Sequence, residues 1–313
     1  MTELKNAAAV QRPTAATVSL KHWGLILLLG SIWGGSFFFA RVAVAEIAPL
    51  TLVMFRVTLA AIALQCWLLI AGPSFRLALP MAGSFFILAL INSILPWTLM
   101  FLGQTEIGAG LASILNATTP FWTAILAQAF RVEARLTTAK IVGIGLGIIG
   151  TGVMIGPGLA DSLGGPLWAK LALIGTSISY GLGFMYARRF SHIPAPVVAT
   201  GQFTAAAIIM VPTILIVYGT DGLFTHSLPV WGAVLGLALL ATAFGYIIYF
   251  VLFQSVGATN TSLVTLIVPA SAILLGALFL GEHLEWFEIA GMLLIGFGLL
   301  VIDGRIRLNL SRD

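Results

Sequence analysis

The chain has 313 residues, of which 59% are hydrophobic and only 8% charged. With a mean hydropathy of +1.07, too little polar surface is available to face water, which excludes an ordinary soluble domain and implies a polytopic membrane protein. The net charge of +4 comes from basic residues scattered at segment ends rather than a stripe, so nucleic acid is not an expected partner, and the single Cys66 excludes a disulfide framework.

A helix needs about 20 apolar residues to cross the hydrocarbon layer. The runs here are continuous and do not alternate, so helices rather than barrel strands are predicted. Residues 1–22 lack the apolar core of a signal peptide and read as a polar cytoplasmic tail. Ten spans follow: 23–43 with Trp33 and Phe37, 49–71 with Arg56, 79–101 with Asn92 and Trp97, 108–129 with Ser113, Asn116 and Pro120, and 137–156. The break at Gly156-Pro157-Gly158 opens an outside linker over 157–166. Then come 167–188 with Tyr180, 196–218, 229–252 with Thr242, Tyr246 and Tyr249, 258–279 with Ser262, Thr265 and Pro269, and 286–303. A second cytoplasmic tail covers 304–313. Two turns are soft, near Gly103–Ile107 and near Gln254–Gly257.

Charge bias fits this count. With an internal N-terminus, only Arg41 and Lys170 of the 15 Lys and Arg residues fall outside, Arg56 lies within a span, and the rest lie inside. Both termini are therefore expected in the cytoplasm.

The sequence also repeats itself. Shifted by 149, Gly108-Ala109, Ser113, Pro120, Leu126, Phe130 and Glu133 fall on Gly257-Ala258, Ser262, Pro269, Leu275, Phe279 and Glu282. Shifted by 147, WGGSFFFAR from Trp33 falls on YGLGFMYAR from Tyr180. The chain is thus five helices written twice, residues 23–156 and 167–303. Because five is odd, the second unit enters the membrane from the opposite side. Inverted repeats of this kind are a transporter architecture, with a site near the midplane that opens to each side in turn.

The stretches IWGGSFFFAR, the Pro49 and Arg56 pair, GAGLASILNATTPFWTAILA and GATNTSLVTLIVPASAILLGALFLGE resemble the ten-helix EamA-type exporters of the drug/metabolite transporter superfamily, which include bacterial exporters of amino acids, aromatic ones among them. The first repeat departs where it reads Arg131-Val132-Glu133 without the glycine before the acid. The resemblance implies an all-α integral membrane protein with two inverted five-helix repeats around a central cavity. It implies a cavity lined by spans 1, 3, 4, 6, 8 and 9, with spans 5 and 10 peripheral. It also implies export of amino acids and related metabolites from the plasma membrane, the inner membrane in a bacterium.

The residues themselves suggest where a site would lie. Polar groups at mid-depth are costly in lipid and should face a cavity or another helix. Ser113, Asn116 and Pro120 share one helix face, as do Ser262, Thr265 and Pro269, and each proline frees a carbonyl one turn back. Trp33, Phe37, Asn92, Trp97, Tyr180 and Tyr246 add aromatic rings and polar tips suited to apolar or aromatic solutes. The two prolines are candidate kinks or gates. Arg56 is a candidate contact for a substrate carboxylate, or else snorkels outward or pairs with an acid such as Glu46. Gly145, Gly147 and Gly150 spell a dinucleotide fingerprint, but no strand precedes them, and Gly143 and Gly147 read as a helix-packing face. No phosphate-binding loop, metal cluster or catalytic cluster is present, so neither ATP, a cofactor, a metal nor enzyme activity is expected. No acid or histidine falls at mid-span, which favours passive flux over a proton relay. A monomeric exporter or facilitator of apolar or aromatic amino acids is expected, with a lipophilic-cation exporter as the alternative.

Overall fold

A computed structural model of the chain describes residues 19–130, 138–155, 165–261 and 263–302. Ser262, the N-terminal tail to residue 18, residues 131–137, most of the expected outside linker and the C-terminal tail from residue 303 lie outside the described residues. Among those described, ten helices and no strand occur.

Helix α1 is Leu20–Ala43 and starts three residues earlier than predicted. Ser19 caps it, its hydroxyl accepting from the backbone N–H of His22, so part of the expected polar tail is helical. Helix α2 is Pro49–Ala71, with proline in the first turn where its missing donor costs nothing. Helix α3 is the single span Phe75–Glu106. Helix α4 comes in two segments, Ala109–Asn116 and Thr119–Ala129. The interruption falls just before Pro120, which opens the second segment, as the freed turn before a proline requires. Helices α5 (Thr138–Ile155), α6 (Leu167–Ala187) and α7 (Ala195–Val217) follow. Helix α8 runs from Leu228 to Thr261, α9 is Val264–Leu280 with Pro269 inside it, and α10 is Trp286–Ile302.

The turn predicted near Gln254–Gly257 is displaced. Residues 258–261 belong to α8, and the next described residue, Leu263, already lies in a turn before α9. An isolated glycine costs a helix only about 1 kcal/mol, so Gly257 alone does not end one flanked by apolar residues.

The third helix of each half is the longest, and both contain π-helical turns. These are Leu90–Ile94 in α3 and Gly236–Phe244 in α8. Shifted by 147, the first falls within the second. At 32 residues, α3 is roughly 48 Å long, more than the hydrocarbon layer requires, so it tilts or protrudes.

Helix packing carries the same two-fold relationship. α1 packs on α9 as α6 packs on α4, α1 on α8 as α6 on α3, and α2 on α8 as α7 on α3. α2 pairs with α7, α4 with α9, and α5 with α10. Exchanging the first five helices for the second five maps each of these contacts onto a partner or onto itself. Close approach depends on small residues. A Cβ on Gly34 of α1 would come within 2.6 Å of the Val268 carbonyl on α9. Its counterpart Gly181 on α6 faces Thr123 on α4, where a Cβ would sit 3.2 Å from the backbone nitrogen. α5 and α10 interlock glycine against glycine: a Cβ on Gly143 would meet the Gly298 carbonyl at 2.7 Å, and one on Gly150 the Gly291 carbonyl at 2.8 Å.

Candidate functional site

The seam between the repeats is organised around Arg56, two turns into α2. Its side chain is buried, with 6% of its surface exposed. Its Nε donates to Thr242 Oγ1 at 3.0 Å. The hydroxyl proton of Thr242 is committed to the Leu237 carbonyl at 2.7 Å, five residues back in the π-helical stretch. A lone pair of Oγ1 therefore faces the guanidinium. The guanidinium carbon lies 3.8 Å from the Trp97 ring centroid and 5.9 Å from that of Phe101, within range of a cation–π attraction. Arg56 Nη1 is buried and has no hydrogen-bond partner. Among the described residues, no carboxylate is bonded to Arg56. Glu46, the acid considered as its partner, is bonded instead to the backbone N–H and hydroxyl of Ser227, at 2.8 and 2.6 Å.

An aromatic chain leads away from this cation. Trp97 donates its indole N–H to Tyr180 Oη at 2.6 Å and stacks on Phe203 at 5.6 Å. Phe203 meets the edge of Tyr246 at 5.3 Å, and Tyr246 lies 6.2 Å from Trp33. Trp33 in turn lies 5.6 Å from Tyr249 and donates to the Ala241 carbonyl at 3.1 Å. Trp33 and Tyr180, equivalent in the two repeats, thus each bond the long third helix of the opposite repeat. Gly245 makes room for this, since a Cβ there would lie 2.8 Å from Trp33 Nε1. Tyr180 and Tyr246 are both half-buried.

A polar cluster sits beside the aromatic one. Asn92 donates to Gln202 Oε1 at 3.2 Å, and Gln202 donates to Ser93 Oγ at 2.6 Å. Asn92 Oδ1 and Asn116 Oδ1 are both buried without a hydrogen-bond partner. The break in α4 does leave carbonyls to be bonded: Ser177 Oγ lies 3.2 and 3.3 Å from the Leu115 and Asn116 oxygens, and Thr119 Oγ1 donates to Asn116 O at 2.7 Å.

The structure thus brings together Arg56, Trp97, Tyr180, Tyr246 and Trp33; Asn92 on α3 and Asn116 on α4 each keep an unpaired buried acceptor, with no contact to this cluster among those described. Ser113 is fully buried and donates back to Gly110 O in its own helix at 2.6 Å. Phe37 is likewise core, 3% exposed, and its carbonyl accepts from Gln104. Thr265 is half-buried on α9, one turn before Pro269, and Ser262 lies outside the described residues. Phe203, Gln202 and the Ala241 carbonyl join the cluster although no sequence argument had singled them out. Gln202 was findable, being a polar side chain at mid-span. The Ala241 carbonyl is exposed by a π-helical turn that hydropathy does not register.

Comparison with known proteins places this architecture. Residues 22–156 and 167–303 each match the model of the EamA-like transporter family. The uncharacterized inner membrane transporter YedA of Escherichia coli (strain K12) is 25% identical over 283 residues, covering 90% of this chain and 90% of that protein. A "probable amino-acid metabolite efflux pump" of Salmonella typhimurium is 28% identical over 296 residues, covering 91% of this chain and 95% of that protein. A crystal structure with 18% sequence identity shares the fold, with a TM-score of 0.62 over 90% of this chain and 96% of that one. With both five-helix halves matched separately, the chain belongs to the EamA-like transporter family, within the drug/metabolite transporter superfamily.

Proposed function

We propose that this membrane transporter is a secondary exporter or facilitator of amino acids and related small metabolites, favouring apolar and aromatic side chains, and that it works as a monomer. The carrying observation is Arg56: a buried guanidinium with one donor unpaired, laid on Trp97 and backed by Tyr180 and Tyr246. A carboxylate would supply the missing partner in a charge-assisted bond, and the rings would receive an apolar or aromatic side chain. A lipophilic cation would meet a buried cation here, so that alternative is not adopted. The two-fold packing supports alternating access, with the repeats rocking about the seam. The charge bias supports cytoplasmic termini and an inner-membrane location. The name of the Salmonella relative supports the solute class.

The test is a flux panel of labelled amino acids and derivatives in proteoliposomes, with Asn116→Leu and Thr265→Leu beside the wild type. Saturable flux of aromatic solutes, reduced at least tenfold in both variants, is expected. Undiminished flux in both variants removes the seam as the site. Flux no faster than in protein-free vesicles for every solute removes the transport reading.

A further inference from the structure

We propose that, among the amino acids and related metabolites just named, the preferred solute is a monoanion, an apolar or aromatic carboxylate without a free ammonium group, and that its export is electrogenic, driven by the membrane potential alone. The inference rests on the exporter reading above and concerns what Arg56 can hold.

Consider first the charge at the seam. An arginine guanidinium stays protonated in proteins. Its Nε is fixed by Thr242 and its face by Trp97, so only the Nη edge is left for a ligand. Every described acid lies at a helix end or in a connection: Glu46, Glu106, Asp221, Glu282, Glu285 and Glu288. The groups set against the cation are the Thr242 hydroxyl, the Trp97 indole and the Phe101 ring, with the Tyr180 phenol on the Trp97 N–H. The described seam therefore holds one fixed positive charge and no carboxylate beside it.

Two kinds of solute then differ sharply. A monocarboxylate brings one negative charge to one positive charge and leaves the loaded seam neutral. A free amino acid is a zwitterion. Its carboxylate would find Arg56, but its ammonium would be carried into a low-dielectric site that already holds a cation. Among the described residues no carboxylate stands ready there, only neutral groups such as the Thr242 hydroxyl and the Tyr180 phenol. Removing the ammonium, by acylation or by replacement with a keto group, removes that repulsion and its desolvation. The class preferred is therefore N-acylated or deaminated derivatives of apolar and aromatic amino acids, which would come from acyl-transfer or amino-group-transfer reactions.

The energetics of export follow from the same charge. One full cycle moves one negative charge outward, whichever helices move. A membrane potential that is negative inside favours that direction by about fifty-fold in concentration ratio per 100 mV. No proton relay is required, in keeping with a described bundle whose acids all lie at its ends.

The experiment uses the full chain in proteoliposomes, with potassium gradients and valinomycin setting the potential. Labelled N-acetylphenylalanine and labelled phenylalanine are the probes. Efflux of N-acetylphenylalanine is expected to accelerate with inside-negative potential, to approach about a fifty-fold gradient per 100 mV, and to ignore an imposed pH gradient. Phenylalanine is expected to move at least tenfold more slowly. Arg56→Gln is expected to abolish the potential-driven gradient. Should that variant fail to fold, Thr242→Val, which frees Nε and loosens the guanidinium, is expected to raise KM for N-acetylphenylalanine several-fold while kcat changes little. Phenylalanine flux equal to that of the acetylated probe, with a final gradient that ignores the potential, overturns the monoanion proposal and leaves the exporter reading standing. Saturable flux of neither probe, nor of any solute in the wider panel, overturns both.

Discussion

The carboxylate of Glu282, just past the end of α9, accepts the backbone N–H of Ala109 at 2.9 Å, at the start of α4 in the other repeat. Its second oxygen accepts from Gly110 at 3.2 Å. The acid that closes the repeated motif is thus a cap supplied across the seam, satisfying orphan donors where the helix dipole favours a negative charge. Gly281 makes the approach possible, its left-handed φ of 64° turning the chain back from the helix end. Gly276 and Gly108 make room for the side chain: a Cβ on Gly276 would collide with Oε2, and one on Gly108 would lie 2.6 Å from Cδ. Glu282→Ala is expected to cost about 0.5–2 kcal/mol, the range for losing a helix cap. Gly276→Ala should expel the same carboxylate and cost a similar amount, and the double variant should cost little more than either alone. Unfolding in detergent measures all three, and full additivity would show that the two residues do not act through one contact.

The glycines of α5 and α10 predict a sharper contrast. Gly143→Leu or Gly291→Leu drives a side chain into backbone carbonyls 2.6–2.7 Å from the would-be Cβ. Overpacking of a tight contact costs about 1–3 kcal/mol or more, and here backbone must move, so folded yield in detergent should fall severely. Gly145→Ala adds a methyl group that meets nothing within 4 Å and should be neutral or mildly stabilising, since alanine is about 1 kcal/mol better than glycine within a helix. Size-exclusion yield and thermal midpoints separate the two outcomes. Of the three glycines that imitate a nucleotide fingerprint, a Cβ on Gly150 would meet α10, one on Gly147 would meet Phe121 of α4, and one on Gly145 meets nothing.

A third prediction concerns pH. The hydroxyl and backbone N–H of Ser227 hold the Glu46 carboxyl below the ordinary glutamate value. A depressed folded-state value contributes stability that is complete above the unfolded value, about 4.3, and is lost as pH falls through the folded one. The link between the α1–α2 connection and the start of α8 should therefore hold above pH 5 and weaken below about 4. Glu46→Gln should flatten that part of the stability profile. Thermal midpoints in detergent from pH 3 to 6 provide the check, and identical slopes for wild type and variant would discard the link.

These contacts also show what a linear reading can and cannot reach. The ten spans and the duplication were legible because both are written in long-period features: apolar run length, charge bias at the ends, and a motif repeated at nearly constant offset. The packing of Gly143 was legible for the same reason, small residues on one helical face. The role of Arg56 was not, because the choice among snorkelling, pairing with Glu46 and facing the seam depends on which helix lies opposite. That helix is α8, and its π-helical turns place Thr242 and the Ala241 carbonyl where they bond Arg56 and Trp33. A π turn leaves the hydropathy of a span unchanged, so its effect on side-chain direction cannot be seen before the fold is known. The soft turn expected near Gln254–Gly257 fell too early, because the helix runs on through Gly257 to Thr261.

The bond between Trp97 and Tyr180 offers the most discriminating test of the seam. Tyr180→Phe leaves the buried indole N–H of Trp97 without its acceptor at 2.6 Å, a loss of about 1–3 kcal/mol. Trp97→Phe removes the donor and reduces the ring beneath Arg56 but keeps an aromatic face there, so cation–π support of about 0.5–2 kcal/mol is weakened rather than lost. Replacing both residues by phenylalanine removes donor and acceptor together. The double variant should therefore be more stable than the sum of the single losses implies, with an interaction energy of about 0.5–3 kcal/mol. Transport should respond differently from stability. Because the guanidinium keeps an aromatic face in both phenylalanine variants, KM should rise only several-fold, whereas Trp97→Ala, which strips that face and opens a cavity, should lose flux outright. Equal flux in Trp97→Ala and Trp97→Phe would mean that the ring under Arg56 takes no part in holding the solute.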